Sequence, residues 1–344
     1  MKVTSFNSAK KYKIKFFIIL FLLILFIIIK YYQIIIYNNK FLKFFFFEKN
    51  QDELKYCTNY GLMIYQSHNR QNLGNIGDYI QSLAALQYLP KNCKPYFIDR
   101  DKIQFYNGPK VKLIMNSWNV VKNGNKYISN QIIPKIISYH IWNIEGLPSI
   151  YLKNLKKFSP IGCRDTNTRD KLIKYGIKAY FSSCLTTTLD IDYSTNKKER
   201  ANDIIFTDFK FGDYFPADNY ILSLKAYNFN NILHITHYLN LNLTHIERFK
   251  LAKKLLHKYA RAKLVITTRL HAALPCLALN TPVIFVNKIF DKRFPGLYKF
   301  LNTIGRNEEN KFEIKVNLDN KGFIYNSKEY LNYAIKLKEA LKYF

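Results

Sequence analysis

From residue 61 onward, short apolar runs alternate with amphipathic stretches. The runs at 61–66, 95–101, 111–118, 134–142, 159–165 and 178–185 read as strands. Between them a helix is predicted to start at Asp78, with Ile80, Leu83, Ala84 and Tyr88 on one stripe. Another is predicted from Thr166 to Tyr175, ended by Gly176 at a C-cap position. A second series of strands follows at 203–209, 231–239, 262–268 and 282–286. The helix predicted over 245–259 opens with a capping box, Thr244 with Glu247, and carries Ile246, Phe249, Ala252, Leu256 and Tyr259. A last amphipathic helix lines up Tyr330, Ala334, Leu337, Leu341 and Phe344 on one face. Short apolar strands alternating with helices predict an α/β fold whose parallel sheets are covered on both faces. A polar run after residue 192 divides the pattern into two doubly wound domains, 56–192 and 193–325, with the final helix at 326–344. Two such domains would face each other across a cleft, with ligands at the carboxyl ends of the strands.

The N-terminal pattern is of a different kind. Residues 16–29 are uninterrupted apolar sequence, and the segment extends to Tyr37 if Lys30 and Gln33 are tolerated. That length spans a bilayer of ~30 Å. Lys2, Lys10, Lys11, Lys13 and Lys15 precede it without an acidic residue, so the positive flank should stay cytoplasmic. The expectation is a cytoplasmic tail (1–15), an uncleaved transmembrane signal-anchor (16–37) and an aromatic stem (38–55). This would make a single-pass type II membrane protein, lumenal in the ER or Golgi of a eukaryote or of a host infected by a eukaryotic virus. In a bacterium the same topology would put the domain outside the cell.

Composition changes this picture little. The chain has 344 residues and a net charge of +29. Most of its 53 basic residues are Lys, and Asn, Ile, Tyr and Phe are also abundant, a bias that a low-GC genome produces by itself. No basic stretch interleaved with aromatics and no zinc-finger spacing appears, so nucleic acid is not an expected partner. The five Cys (57, 93, 163, 184, 276) form no CxxC pair; Cys57 and Cys93 could bond, and Cys163, Cys184 and Cys276 sit in apolar runs as small buried hydrophobes.

Three stretches carry candidate chemistry. Residues 73–78 (LGNIGD) place Gly74, Asn75 and Gly77 before a helix N-terminus, whose amides suit an anion or a sugar hydroxyl, with Asp78 as cap or as functional carboxylate. Arg164 ends a buried strand, either paired with Asp165 or facing a ligand, with Asp165 or Thr166 available as N-cap. Arg269 and His271 flank Leu270 at a strand-to-helix junction, where helix amides would add to their attraction for an anion. His234 and His237 resemble a metal pair, but a spacing of three on a strand points them to opposite faces. The DxD triplets at 99–101 and 190–192 match metal and nucleotide-sugar ligands but also ordinary solvated strand ends. Asn242 begins a glycosylation sequon whose Thr244 doubles as the helix cap.

Taken in order, NLGNIGDYIQSLAALQYL, the MNSW and PKIISYHI stretches, SPIGCRDTNTRDKLIKYGIKAYFSSCLTTTL, ARAKLVITTRLHAALPCLALNTPVIFVN and DKRFPGL resemble the polysaccharide pyruvyl transferase family over about residues 60–302. Ser117 departs from it where the family often has Gly, and a membrane anchor is not general to it. The resemblance implies a GT-B-like pair of Rossmann-like domains. It also implies transfer of pyruvate from phosphoenolpyruvate, as donor substrate, onto two hydroxyls of a glycan sugar as a ketal, with no cofactor or metal expected. By position, Arg164, Arg269 and His271 would bind the donor; the chemistry of such a transfer needs an acid that titrates near neutral pH, for which His271 is the candidate. Asp78 would be the base, and Lys288, Asp291 and Arg293 would add phosphate contacts. The competing expectations are a GT-B-like glycosyltransferase using a nucleotide sugar and a non-catalytic glycan-binding membrane protein.

Overall fold

A computed structural model describes residues 59–66, 73–90, 95–119, 127–141, 149–189, 201–307 and 309–344. The expected membrane segment and stem, Cys57, Cys93 and the triplet at 190–192 lie outside them. Among the described residues no helix is long and apolar enough to cross a membrane.

The strands are β1 (Tyr60–Ile64), β2 (Leu73–Asn75), β3 (Tyr96–Asp99), β4 (Val111–Met115), β5 (Trp118–Asn119), β6 (Ile132–Ile136), β7 (His140–Ile141) and β8 (Ile161–Cys163). They continue as β9 (Ala179–Phe181), β10 (Ile204–Thr207), β11 (Ile232–Ile235), β12 (Tyr238–Asn240), β13 (Leu264–Thr267), β14 (Val283–Asn287), β15 (Asn302–Arg306) and β16 (Phe312–Lys315). One parallel sheet has the order β3-β1-β4-β6. The other runs β11-β10-β13-β14-β15-β16, parallel except for its last strand. The central strands β10, β13 and β14 are buried along their whole length, as continuous apolar runs covered on both faces should be. In each sheet the chain turns to both sides of its first strand. This leaves topological switch points beside β1 and β10, where ligands of doubly wound folds bind.

Residues 56–344 form one compact unit. Three features join its sheets. β2 pairs antiparallel with β12, a ribbon made of one strand from each half. Helix Ile76–Leu86 lies against helix His245–Arg261, where Arg248 donates to the Tyr65 carbonyl (3.0 Å) and the Tyr79 hydroxyl (2.9 Å). Helix Tyr330–Leu341 buries Ala334, Leu337 and Leu341, and beyond it the Phe344 carbonyl accepts from Tyr60 and Lys112.

Several predicted elements shift. The first helix begins at Ile76, with Asn75 as its N-cap accepting from the Gly77 amide (2.9 Å), so Asp78 is released from capping. Asp165 caps helix Thr166–Lys174, and Gly176 takes the left-handed φ of +69° that ends it. The run 231–239 is β11 and β12, which belong to different sheets, and 134–142 is likewise divided between β6 and β7. The capping box at Thr244 and Glu247 is present.

Candidate active site

The strand ends converge on a cavity of about 370 Å3, within the range of small-molecule sites. Asn75 and Asp78 reach it from the start of helix Ile76–Leu86, and Arg164 from the end of β8. Asp208 follows β10, His237 follows β11, and Thr268, Arg269 and His271 follow β13. Asn287, Lys288, Asp291 and Arg293 extend from β14. Every predicted site residue lines it except Gly74 and Gly77. Gly74 packs in β2 against Leu241, and Gly77 lies behind His271, where an added Cβ would sit 2.9 Å from the His271 Cβ. The glycine thus lets the imidazole lie against the helix start.

The charges are not equivalent. Arg269 donates to Asp208 (2.6 Å) and holds its guanidinium 4.8 Å from the centre of the Tyr238 ring. Asp208 also accepts from the Thr236 hydroxyl (2.7 Å) and the His237 amide (3.0 Å). Burial alone would raise the Asp208 carboxyl, but these bonds hold it below its usual range. Asp208 has a φ of +50°, a left-handed conformation of the kind that clusters at functional sites. Arg293 pairs with Asp291 through its Nε (2.8 Å). Asp78 accepts from Gln81 (3.2 Å) and lies 3.9 Å from Arg100; burial raises its carboxyl against the pull of Arg100 and Arg164.

Arg164 differs from the other arginines. It is 3% exposed, its Nε has no hydrogen-bond partner, and no carboxylate among the described residues lies within ion-pair distance. Asp165, its sequence neighbour, is spent elsewhere: its two oxygens accept from the Thr168 amide (2.8 Å) and from His140 Nδ1 (2.7 Å). A buried cation without a partner is costly, so a site built this way favours an anion.

His271 is the second residue of helix Leu270–Ala278, whose N-cap Arg269 makes no side-chain cap bond. Its Nε2 is buried and unpartnered. Burial, then Arg164, His237 and Arg293, holds its pKa well below the ordinary value, so the protein's own groups keep the ring neutral.

Asp208, His237, Gln81, Thr268 and Asn287 line the cavity without having been predicted. Asp208 offered one signal, an acidic residue directly after an apolar strand. The triplet at 99–101 is absorbed locally: Asp99 caps the turn through the Asp101 amide (2.9 Å), and Asp101 pairs with Arg100. Among the described residues no group of three or more His, Cys, Asp or Glu could hold a metal. Cys163, Cys184 and Cys276 are buried thiols.

The buried histidines make stability acid-sensitive. Burial holds His237 at about 3 and His245 at about 4, and His140 and His271 are also lowered. Their unfolded value is 6.5, so below it the unfolded chain binds protons that the folded chain refuses, and stability falls as the pH drops. At pH 5 His237 and His245 each cost about 2 kcal/mol relative to pH 7, about 4 kcal/mol together. Urea unfolding at pH 7 and pH 5 checks this, and His245→Gln should recover its share. Equal midpoints at the two pH values would refute the assignment.

A family model described as polysaccharide pyruvyl transferase matches residues 75–287, which hold every predicted site residue except Gly74, Lys288 and Arg293. No curated protein matches the chain. Among solved structures, that of an uncharacterized protein from Klebsiella pneumoniae shares 15% identity, covers 68% of this chain and 85% of its own, and has a TM-score of 0.41.

Proposed function

The chain belongs to the polysaccharide pyruvyl transferase family, and on that premise we propose that it moves pyruvate from phosphoenolpyruvate onto two hydroxyls of a glycan sugar as a cyclic ketal. The observation that carries the reading is Arg164, a buried guanidinium without a carboxylate, in a cavity also lined by Arg269, Lys288 and Arg293. Phosphoenolpyruvate brings a carboxylate and a phosphate, and the planar guanidinium fork matches both. Each charge-assisted hydrogen bond contributes ~1.5–3 kcal/mol, so two or three account for micromolar binding.

The chemistry needs an acid and a base. His271, once protonated, delivers its proton from Nε2 to C3 of the enol, leaving an oxocarbenium-like centre at C2. A sugar hydroxyl adds to C2 and gives its proton to Asp78, a carboxylate whose raised pKa suits it to that role. The bond from C2 to the phosphate oxygen then breaks and phosphate departs with the proton held by Asp78; a second hydroxyl adds to the oxocarbenium centre this leaves, closes the ring and returns its proton to His271. The carboxylate of pyruvate stays with its arginine throughout.

The purified full-length chain should release inorganic phosphate from phosphoenolpyruvate only when an acceptor sugar is present. Thermal shifts with phosphoenolpyruvate, UDP-sugars and GDP-sugars separate this from a glycosyltransferase. Stabilisation by a nucleotide sugar and none by phosphoenolpyruvate would overturn the proposal.

A further inference from the structure

His237 ends the His-Ile-Thr-His stretch, and the reaction above gives it no part. It is 1% exposed yet lines the cavity, and its backbone is held on both sides. The amide donates to Asp208 (3.0 Å) and the carbonyl accepts from the Ile76 amide (2.9 Å), the first residue of the opposing helix. Its Nε2 lies 2.9 Å from the Tyr259 hydroxyl, which lies 3.0 Å from the Thr207 hydroxyl. Its Nδ1 is buried and has no protein partner.

Counting protons along this chain fixes its direction. Thr207, Tyr259 and a neutral His237 carry one side-chain hydrogen each. If Thr207 donates to Tyr259 and Tyr259 donates to Nε2, both hydroxyl hydrogens are used and the ring proton must sit on Nδ1. In the opposite direction Nε2 donates to Tyr259 and Tyr259 to Thr207, and the Thr207 hydrogen is left without an acceptor in a fully buried position. The first direction leaves only the Nδ1 hydrogen unpaired within the protein, whereas the second leaves both the Thr207 hydrogen and the Nδ1 lone pair unpaired, so the first is favoured. Successive bonds in such a chain also polarise one another toward its end.

We infer that His237 is a neutral hydrogen-bond donor which presents its Nδ1 hydrogen to an oxygen of the bound anionic substrate, aimed by the relay Thr207–Tyr259. Burial keeps the ring uncharged throughout the working range, so it recognises the anion without adding to the charge of Arg164. The groups that face it, Asp208, Arg269 and His271, leave this donor role open, because Asp208 meets the backbone amide and not the ring. His237 is thus a substrate-contacting group, and Tyr259 is a positioning residue acting through it.

The identity of the anion rests on the proposed donor, phosphoenolpyruvate, but the ring's tautomer does not. Nitrogen and carbon chemical shifts of the His237 ring in the full-length, ligand-free protein should show hydrogen on Nδ1. A ring protonated on Nε2 would overturn the inference whatever the protein binds. In calorimetry with phosphoenolpyruvate, His237→Leu should raise Kd by ~10–100-fold, the effect of one hydrogen bond to a charged acceptor. His237→Asn, whose amide reaches the Nδ1 position, should recover most of the loss, and Tyr259→Phe should show a smaller one. Turnover at saturation should change far less than Kd, because His237 moves no proton. An unchanged Kd in His237→Leu would also overturn the inference. Failure of the wild type to bind phosphoenolpyruvate, with the Nδ1 tautomer present, would overturn the proposed function alone.

Discussion

Arg164→Met is expected to abolish donor binding and to stabilise the folded protein at the same time. The guanidinium sits 3% exposed without a carboxylate, and burial pushes its pKa down, the sign of a cation held where water would suit it better. A methionine fills much of the same space without that desolvation. The gain should be on the order of 1–4 kcal/mol, or a rise of ~2–4 °C in Tm per kcal/mol for a domain of this size. Activity should fall by ~10²–10⁴-fold, because two charge-assisted bonds to the donor disappear. Arg269→Met is the internal control and should have the opposite effect on stability. It removes the partner of Asp208, leaves a half-buried carboxylate short of one bond, and lowers Tm. Both variants should lose phosphate release, and only one should gain stability. If Arg164→Met melts below the wild type as Arg269→Met does, the buried guanidinium has a structural partner and is not reserved for a ligand.

The contrast between the two arginines marks where sequence reading stops. Arg164, Arg269 and His271 were legible because each stands at the end of an apolar strand, where a doubly wound fold places its ligands. Their different states were not, because those depend on residues far away in the chain. Arg269 is neutralised by Asp208, 61 positions earlier. Arg164 is left free because His140 and the Thr168 amide claim the carboxylate beside it. The alternation rule assumed His234 and His237 on one strand; in the structure only His234 lies on β11, where it is exposed, and His237 follows the strand end and is buried. Which of them faces the cavity follows from β12 leaving its own sheet to pair with β2, a bend that no local propensity announces. The same long-range effect moved the helix start from Asp78 to Ile76. Asn75 accepts the Gly77 amide there, and the carbonyl of His237 takes the amide of Ile76. Asp78 is thereby turned from a cap into a cavity carboxylate.

Binding of phosphoenolpyruvate is expected to draw a proton onto His271. Burial and the nearby Arg164 and Arg293 guanidinium groups hold the His271 pKa well below its ordinary value, so the ring is neutral at pH 7 and cannot act as an acid before the donor arrives. A bound carboxylate and phosphate reverse the sign of that field and raise the pKa toward neutrality. The complex must then take up protons from solvent between pH 6 and 8. Calorimetry in buffers of different ionisation enthalpy measures the number directly, and His271→Gln subtracts what the phosphate group contributes by itself. The same shift should separate the kinetic profiles. The logarithm of kcat/KM follows the free protein and should keep rising as the pH falls, until the fold itself fails. The value of kcat follows the complex and should level off at a higher pH. His271→Gln should lower kcat by ~10²–10⁴-fold, the usual size of a general acid's contribution, and make it independent of pH over this range. If wild type and His271→Gln take up the same number of protons, the ring is not the group that charges, and the acid must be sought elsewhere in the cavity. The arrangement has a chemical logic: a permanently charged imidazolium beside Arg164 and Arg293 would add to the repulsion before the donor arrives. An imidazole charged by its own substrate becomes an acid only when there is an enol to protonate.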